Sequence, residues 1–224
     1  MDITGARAVV IGATGGFGSE IARSLAHAGA ALVVHGRDPD RLAALAGELG
    51  ATPVEGDLTA PGVPDAVVDG AATALGGLDV VVMSAGAVAF GPVAELDEAV
   101  LRQVVDLDLV APILVARAAT RHLGKGGVIA QVSAVVADQP MAGLAAYSAA
   151  KAGLTAFDTA FRREMRRTGV RVIDARPPHM ETGLATRPLA GDPPGLAQGR
   201  DPRDVADEMV AAIAEAAPAP DWIT

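Results

Sequence analysis

Six short aliphatic runs, each followed by a stretch long enough for a helix, leave this chain little choice of architecture. The runs cover residues 8–11, 31–35, 52–55, 79–83, 128–132 and 170–175. Most lack alternation of polar with apolar residues, which is the pattern of strands covered on both faces. The segments between them carry helix signals. Residues 19–28 end at Gly29, suited to the left-handed position that follows a helix. Asp38-Pro39 reads as an N-cap and first helical residue, and that helix ends at Gly50. Residues 97–123 read as one long helix with Pro112 inside it, and residues 147–167 as another. Asp201-Pro202 opens a last helix, expected to run to about Ala216. Strands alternating with helices define an α/β fold, a doubly wound parallel sheet of six to seven strands with helices on both faces. The expected organisation is a single domain over residues 1–224. Residues 177–200 dissolve into a loop rich in Pro and Gly, expected to cover a site.

Composition narrows the classes of partner. Aromatic residues make up only 3% of the chain, so the core must be built from Ala, Val, Leu and Ile. A net charge of −9 argues against a nucleic acid or an anionic membrane surface as partner. No apolar stretch reaches the ~20 residues of a membrane span. The absence of cysteine excludes disulfides, thiolate nucleophiles and cysteine-bound metals, and it suits a reducing cytoplasm, the expected location. No secretory leader is expected, since Asp2 precedes Arg7 and the run 8–11 is too short for one. His27, His35, His122 and His179 share no ligand spacing, so no metal is expected. Arg162, Arg163, Arg166 and Arg167 form a basic helix end, which the helix dipole favours.

Gly12-Ala13-Thr14-Gly15-Gly16-Phe17-Gly18 follows the first strand at once and opens the first helix. That context turns a glycine-rich stretch into a nucleotide loop. Gly12 permits the tight turn, and Gly16 lets backbone approach a pyrophosphate. Gly18 allows close packing of helix on strand, and the helix start offers free N–H groups to the anion.

Further along, Tyr147-Ser148-Ala149-Ala150-Lys151 sets a phenol and an ammonium at i and i+4, on one helical face. A tyrosine with its ordinary pKa near ~10 is a poor acid or base at neutral pH. An adjacent ammonium stabilises the phenolate and is expected to lower that value. This is the only tyrosine of the chain.

The spacing Gly-x-x-x-Gly-x-Gly, with Tyr-x-x-x-Lys and Ser133 upstream of it, resembles the short-chain dehydrogenase/reductase family over most of the chain. The resemblance implies a Rossmann-type fold and hydride transfer between a nicotinamide dinucleotide and a carbonyl or secondary alcohol. It implies Tyr147 as general acid/base, assisted by Lys151 and Ser133, with Asp108 where the family carries a helical asparagine. Cofactor contacts are implied at Gly12, Thr14, Gly16, Phe17, Gly18, Tyr147 and Lys151. They are also implied at Asp57 and Leu58 against the adenine, and at Ala85 and Gly86 after the fourth strand. Pro177 and Thr182 are implied beside the nicotinamide. Assembly as a homodimer or homotetramer is a further implication. A catalytically weak NADP(H)-binding sensor or scaffold is the competing expectation.

The tip of the second strand reads His35-Gly36-Arg37-Asp38. Gly36 leaves room for a 2′-phosphate and Arg37 supplies a guanidinium, which favours NADP(H) over NAD(H). Asp38 is the rival signal, explained by its place as a helix N-cap before Pro39.

Four positions depart from the family's pattern. Ser133 lies 14 residues before Tyr147, one more than usual, and the alternative alignment puts Ala134 at the serine position. Met83-Ser84-Ala85-Gly86 stands for Asn-Asn-Ala-Gly, Asp108 for asparagine, and Pro177-Pro178 for Pro-Gly. Pro112 has no N–H to give the Asp108 carbonyl. The expectation is therefore that this carbonyl faces Lys151 through a water, and that Asp108→Asn changes turnover little. The chain ends at Trp222-Ile223-Thr224, where a seventh strand is expected to be vestigial.

Overall fold

A computed structural model of the chain describes residues 1–215 and 219–224. Ala216, the expected end of the last helix, lies outside the described residues. The strands are β1 (Arg7–Ile11), β2 (Ala31–Gly36), β3 (Thr52–Glu55), β4 (Leu78–Met83), β5 (Leu123–Val132) and β6 (Arg171–Ala175). They pair in parallel throughout, in the order β3-β2-β1-β4-β5-β6. The helices are α1 (Gly16–His27), α2 (Pro39–Leu49), α3 (Val63–Leu75), α4 (Glu98–Val105), α5 (Ala111–Ala119), α6 (Ala145–Met165) and α7 (Pro202–Ala214).

β1, β2, β4 and the rear half of β5 bury both faces, as their largely aliphatic character requires, whereas β3 at the sheet edge exposes three of its four residues. In β1, Ala8 and Val10 pack with α1, α2 and α7, whereas Val9 and Ile11 pack with α3, α5 and α6. The same division runs through β4, where Val80 and Val82 oppose Val81 and Met83. Each fully buried Val or Ile contributes roughly 1.5–3 kcal/mol on leaving water. A polar residue on either face of these strands would forfeit that term. The winding starts at β1, moves out to β3, then crosses back to β4. The carboxyl ends of β1 and β4 therefore flank the point where the direction reverses, the usual ligand crevice of such sheets.

Several expectations are corrected in detail. The helix assigned to 97–123 is three pieces: α4, a wide π turn over Asp106–Val110, and α5. Pro112 explains the break. Its nitrogen cannot donate, and the ladder shifts so that the Ala111 N–H reaches the Asp106 carbonyl, five residues back. The chain then turns at Thr120–His122, and β5 begins at Leu123 rather than 128. The glycines at 124, 126 and 127 hid the front half of that strand. α1 begins at Gly16, so the glycine loop itself forms the first turn, and α6 covers Ala145–Met165. α3 was unassigned in the sequence. It lies between Gly62 and Gly76, both left-handed, and has no polar side-chain cap to announce it. The chain end adds only an antiparallel bridge between Ala175 and Ile223, with Asp174 and Thr224 exchanging N–H···O bonds of 3.0 Å. No helix among the described residues is long and apolar enough to cross a membrane.

Candidate active site

A cavity of about 450 Å³ opens at the carboxyl ends of the strands, lined from Gly12 and Thr14 at one end to Tyr147, Lys151 and Thr182 at the other. The glycine loop is fixed by contacts rather than by flexibility. Gly12 has φ +83°, and a Cβ there would lie 2.5 Å from the Ala85 nitrogen. A Cβ on Gly16 would lie 2.3 Å from the Thr182 carbonyl oxygen, so the loop after β6 rests directly on the first turn of α1. That turn has no side-chain cap, which leaves backbone N–H groups for an anion. Ser84 adds a buried hydroxyl without a partner where β4 ends, in the same lining. Uncapped amides, close backbone approach and an orphaned hydroxyl together fit a dinucleotide.

His35 holds this end of the cavity together. It is buried, its Nδ1 accepts from the Gly12 N–H at 3.4 Å, and its Nε2 lies 3.0 Å from the Gly56 carbonyl. These partners define the neutral tautomer protonated at Nε2. Burial, with Arg37 nearby, lowers its pKa to about 4 against the pull of the Gly56 carbonyl. Arg37 and Arg41 both reach the lining at the tip of β2, and Arg41 also donates to the Thr14 carbonyl. Asp38 accepts from the Arg41 backbone N–H at 3.0 Å, the bond of an N-cap. Leu58 is buried in the cavity wall, but Asp57 is exposed and outside the lining. Its Oδ1 accepts from the backbone and hydroxyl of Thr59. Phe17, Gly18, Ala85, Gly86 and Pro177 all line the cavity.

At the other end, Tyr147 and Lys151 lie one turn apart on α6, with the ammonium 5.7 Å from the ring centroid and both residues buried. Lys151 Nζ donates to the Val132 carbonyl at 2.9 Å. It also lies 3.0 Å from Oδ1 of Asp108, approached off the hydrogen-bond axis, so Oδ1 meets its charge without a directed N–H. Asp108 is fully buried, and its other oxygen accepts from the Ala87 N–H at 3.2 Å. The side-chain carboxylate of Asp108 therefore meets the lysine directly.

The electrostatics change accordingly. Burial alone would lower the Lys151 ammonium, but Asp108 and Tyr147 outweigh it and hold the lysine charged above its ordinary range. Burial raises Asp108, and Lys151 offsets part of that rise. Tyr147 is pushed up to about 12 by burial first; Lys151 pulls it down and Asp108 adds to the rise. The phenol is thus a weaker acid than the sequence led one to expect.

Ser133 is buried at the end of β5, but its hydroxyl donates to the Lys151 carbonyl at 3.0 Å and touches the Thr155 hydroxyl at 3.2 Å. These bonds fasten α6 to the strand, and Ser133 lines the same cavity as Tyr147. Behind it, Gln131, Asp158 and Asp174 form a buried polar group, with Gln131 Nε2 donating to Asp158 at 2.7 Å.

The loop over residues 177–200 covers the cavity and is tied down at two places. Met180 and Arg200 form a bridge, with the Arg200 N–H donating to the His179 carbonyl and the Glu181 N–H to the Arg200 carbonyl. The Leu189 N–H donates to the Val88 carbonyl, and the Phe90 N–H to the Ala190 carbonyl, both at 2.8 Å. Sequence reasoning missed the bridging by His35, the reach of Arg41 and the ion pair of Asp108. Only Arg41 left a signal: the Asp38 cap puts it in the first turn of α2, where a long side chain can return to the glycine loop.

A crevice of this kind, with a phenol and an ammonium at its floor, defines an oxidoreductase of the nicotinamide-dependent type. The short chain dehydrogenase family model matches residues 6–191. The chain belongs to that family, the short-chain dehydrogenases/reductases. It is 35% identical over 184 residues to the cis-4-hydroxycyclohexanecarboxylate dehydrogenase of Sinomonas cyclohexanicum, covering 79% of this chain and 74% of the relative. Its fold is similar to a short chain dehydrogenase from Burkholderia cenocepacia in complex with NADP, at TM-score 0.87 and 27% identity over 95% of this chain and 92% of that one. A Burkholderia phymatum family member in complex with NAD shares the fold at TM-score 0.87 and 22% identity, covering 96% and 88% of the two chains.

Proposed function

We propose that this protein reversibly transfers a hydride between NADP(H) and a carbonyl or secondary alcohol, with Tyr147 handling the proton. The observation that carries the reading is the buried Tyr147–Lys151 pair at the floor of a cavity that also contains the glycine loop. The dinucleotide, when bound, supplies or takes the hydride. Gly12, Thr14, Gly16, Phe17 and Gly18 would hold its pyrophosphate, Leu58 its adenine, and Ala85, Gly86, Pro177 and Thr182 its nicotinamide half. The Tyr147 hydroxyl gives its proton to the substrate oxygen in reduction and takes it back in oxidation. Lys151 orients that half of the site. The serine hydroxyl expected at the substrate oxygen is engaged with α6, so Ser133 acts by fixing the helix that carries Tyr147.

Arg37 and Arg41 beside Gly36 support the phosphorylated cofactor, and Asp38, the carboxylate that follows Arg37 in the chain at the strand tip, is occupied as a helix cap. Val88, Phe90, Met141, Leu144, Leu184 and Leu189 in the lining support an apolar substrate. The engaged Ser133 hydroxyl also favours the second reading, a cofactor-binding sensor of weak activity. Following NADPH consumption across a panel of ketones and aldehydes separates the two. Consumption by the wild type, lost in Tyr147→Phe while NADPH still binds, is the expected result. Wild-type turnover in Tyr147→Phe would refute the mechanism, and binding without consumption on every substrate would leave the sensor.

A further inference from the structure

Among the described residues, Asp108 is the carboxylate in contact with the Tyr147–Lys151 pair, and hydride transfer does not by itself require a negative charge there. It is fully buried, 3.0 Å from Lys151 Nζ, on a π turn held in place by Pro112. Its second oxygen is secured by the Ala87 N–H, and a Cβ on Gly86 would come within 2.7 Å of Oδ1. The carboxylate is thus clamped against the ammonium.

A bare ammonium beside a buried phenol stabilises the phenolate, whereas an ion pair at the same place presents almost no net charge. We propose that Asp108 is a positioning residue that neutralises Lys151, so that Tyr147 keeps its proton through neutral pH and alcohol oxidation, which needs the tyrosinate, rises only in alkali. The proposal rests on the hydride reading above. In reduction the carbonyl carbon gains a hydride from the reduced dinucleotide, and the carbonyl oxygen takes the Tyr147 proton. The products are the alcohol and the oxidised dinucleotide, and the tyrosinate regains a proton from solvent. In oxidation the alcohol O–H must pass its proton to a tyrosinate that already exists. Masking Lys151 withholds that tyrosinate. The elevated position of the Tyr147 titration agrees in direction.

The other charged groups around the pair do not substitute for Asp108. Asp174 on β6 acts on Lys151 but not directly on Tyr147. Asp158 on α6 senses Lys151 and is tied to Gln131. The turn over Val135–Ala137 brings only Asp138, which is paired with Arg176. On the loop side, His179 and Arg187 line the cavity, and Glu181 lies 3.7 Å from His179.

Because Tyr147 is the only tyrosine, tyrosinate absorbance reads its ionisation directly, without cofactor or substrate. In the wild type the ring should stay protonated until pH approaches about 12. In Asp108→Asn, which keeps the shape and removes the charge, the titration should fall by about one to three pH units. Circular dichroism over the same range checks that the fold persists. Asp158→Asn, which removes a different buried carboxyl, should leave the titration in place. In turnover, the pH at which alcohol oxidation rises should fall in Asp108→Asn by the same amount, about one to three pH units, because that limb of the profile reports the Tyr147 titration. An unmoved titration, an equal fall in both variants, or a lowered titration with an unmoved oxidation profile would each overturn the proposal. The titration needs no turnover, so it judges Asp108 even where Tyr147→Phe refutes hydride transfer.

Discussion

Replacing Asp158 by asparagine should stabilise the protein at neutral pH and destabilise it in acid. The carboxyl is fully buried between α6 and the sheet, and its pKa is raised to about 8 by burial first and then by the Asp174 charge, against the hydrogen bond from Gln131. In the unfolded chain it returns to its ordinary 3.8. Between those two values the folded state holds a proton that the unfolded state has released. Stability therefore falls as pH rises, by about 1.4 kcal/mol per pH unit. Below pH 3.8 the term vanishes, and above about 8 it levels off at its largest. At pH 7 the accumulated penalty is on the order of 4 kcal/mol. Asparagine removes it and keeps the Oδ1 acceptor for Gln131, 2.7 Å away. It also leaves an amide where Asp158 Oδ2 has no partner, a burial that costs about 1–3 kcal/mol at every pH. The two terms together make the variant less stable near pH 4 and more stable near pH 8. At roughly 2–4 °C per kcal/mol for a chain of this size, thermal unfolding of both proteins across that range resolves the crossing. Parallel stability curves, with no change of sign, would refute the reasoning.

Arg37→Ala should weaken NADPH binding by roughly tenfold to a hundredfold, the value of a charge-assisted bond to phosphate, and leave NADH nearly unchanged; titration with each cofactor measures both. Gly12→Ala combines a left-handed φ of +83° with a Cβ 2.5 Å from the Ala85 backbone. It should lower stability by about 2–4 kcal/mol and abolish cofactor binding, read by melting curves with and without NADPH.

The parts of the fold legible in the sequence were those fixed by local chemistry. Four of the six strands, β1, β2, β4 and β6, are built on runs of Val, Ile, Leu and Ala, and the glycine loop announced itself by standing between one such run and a helix. β5 was half hidden, because Gly124, Gly126 and Gly127 fall in the irregular stretch between the paired Leu123 and Val128 and bring no β-forming side chain. The break at Pro112 was visible as a missing donor, but its outcome was not. Whether a helix answers by freeing a carbonyl or by widening a turn depends on packing around it, here Leu107 and Asp108 buried against the core. At the site, Tyr147 and Lys151 were legible from their spacing. The direction of the Ser133 hydroxyl and the partner of Asp108 were not, since both depend on where β5 meets α6 rather than on neighbours in sequence.

The cover over residues 177–200 has a neck and a latch, and the two differ in strength. The neck is the bridged crossing at 179–181 and 199–200, reinforced by the Gly199 N–H on Glu181 Oε1 at 2.7 Å. The latch is the pair of bonds from 189–190 to 88–90. Two backbone bonds are worth only about 1–3 kcal/mol net in water, and Leu184 and Ala190, packed against the cluster around Tyr147, add to the latch. A cover tied at both places would shelter the cavity from water, and a tip freed at the latch would stay tethered by the neck.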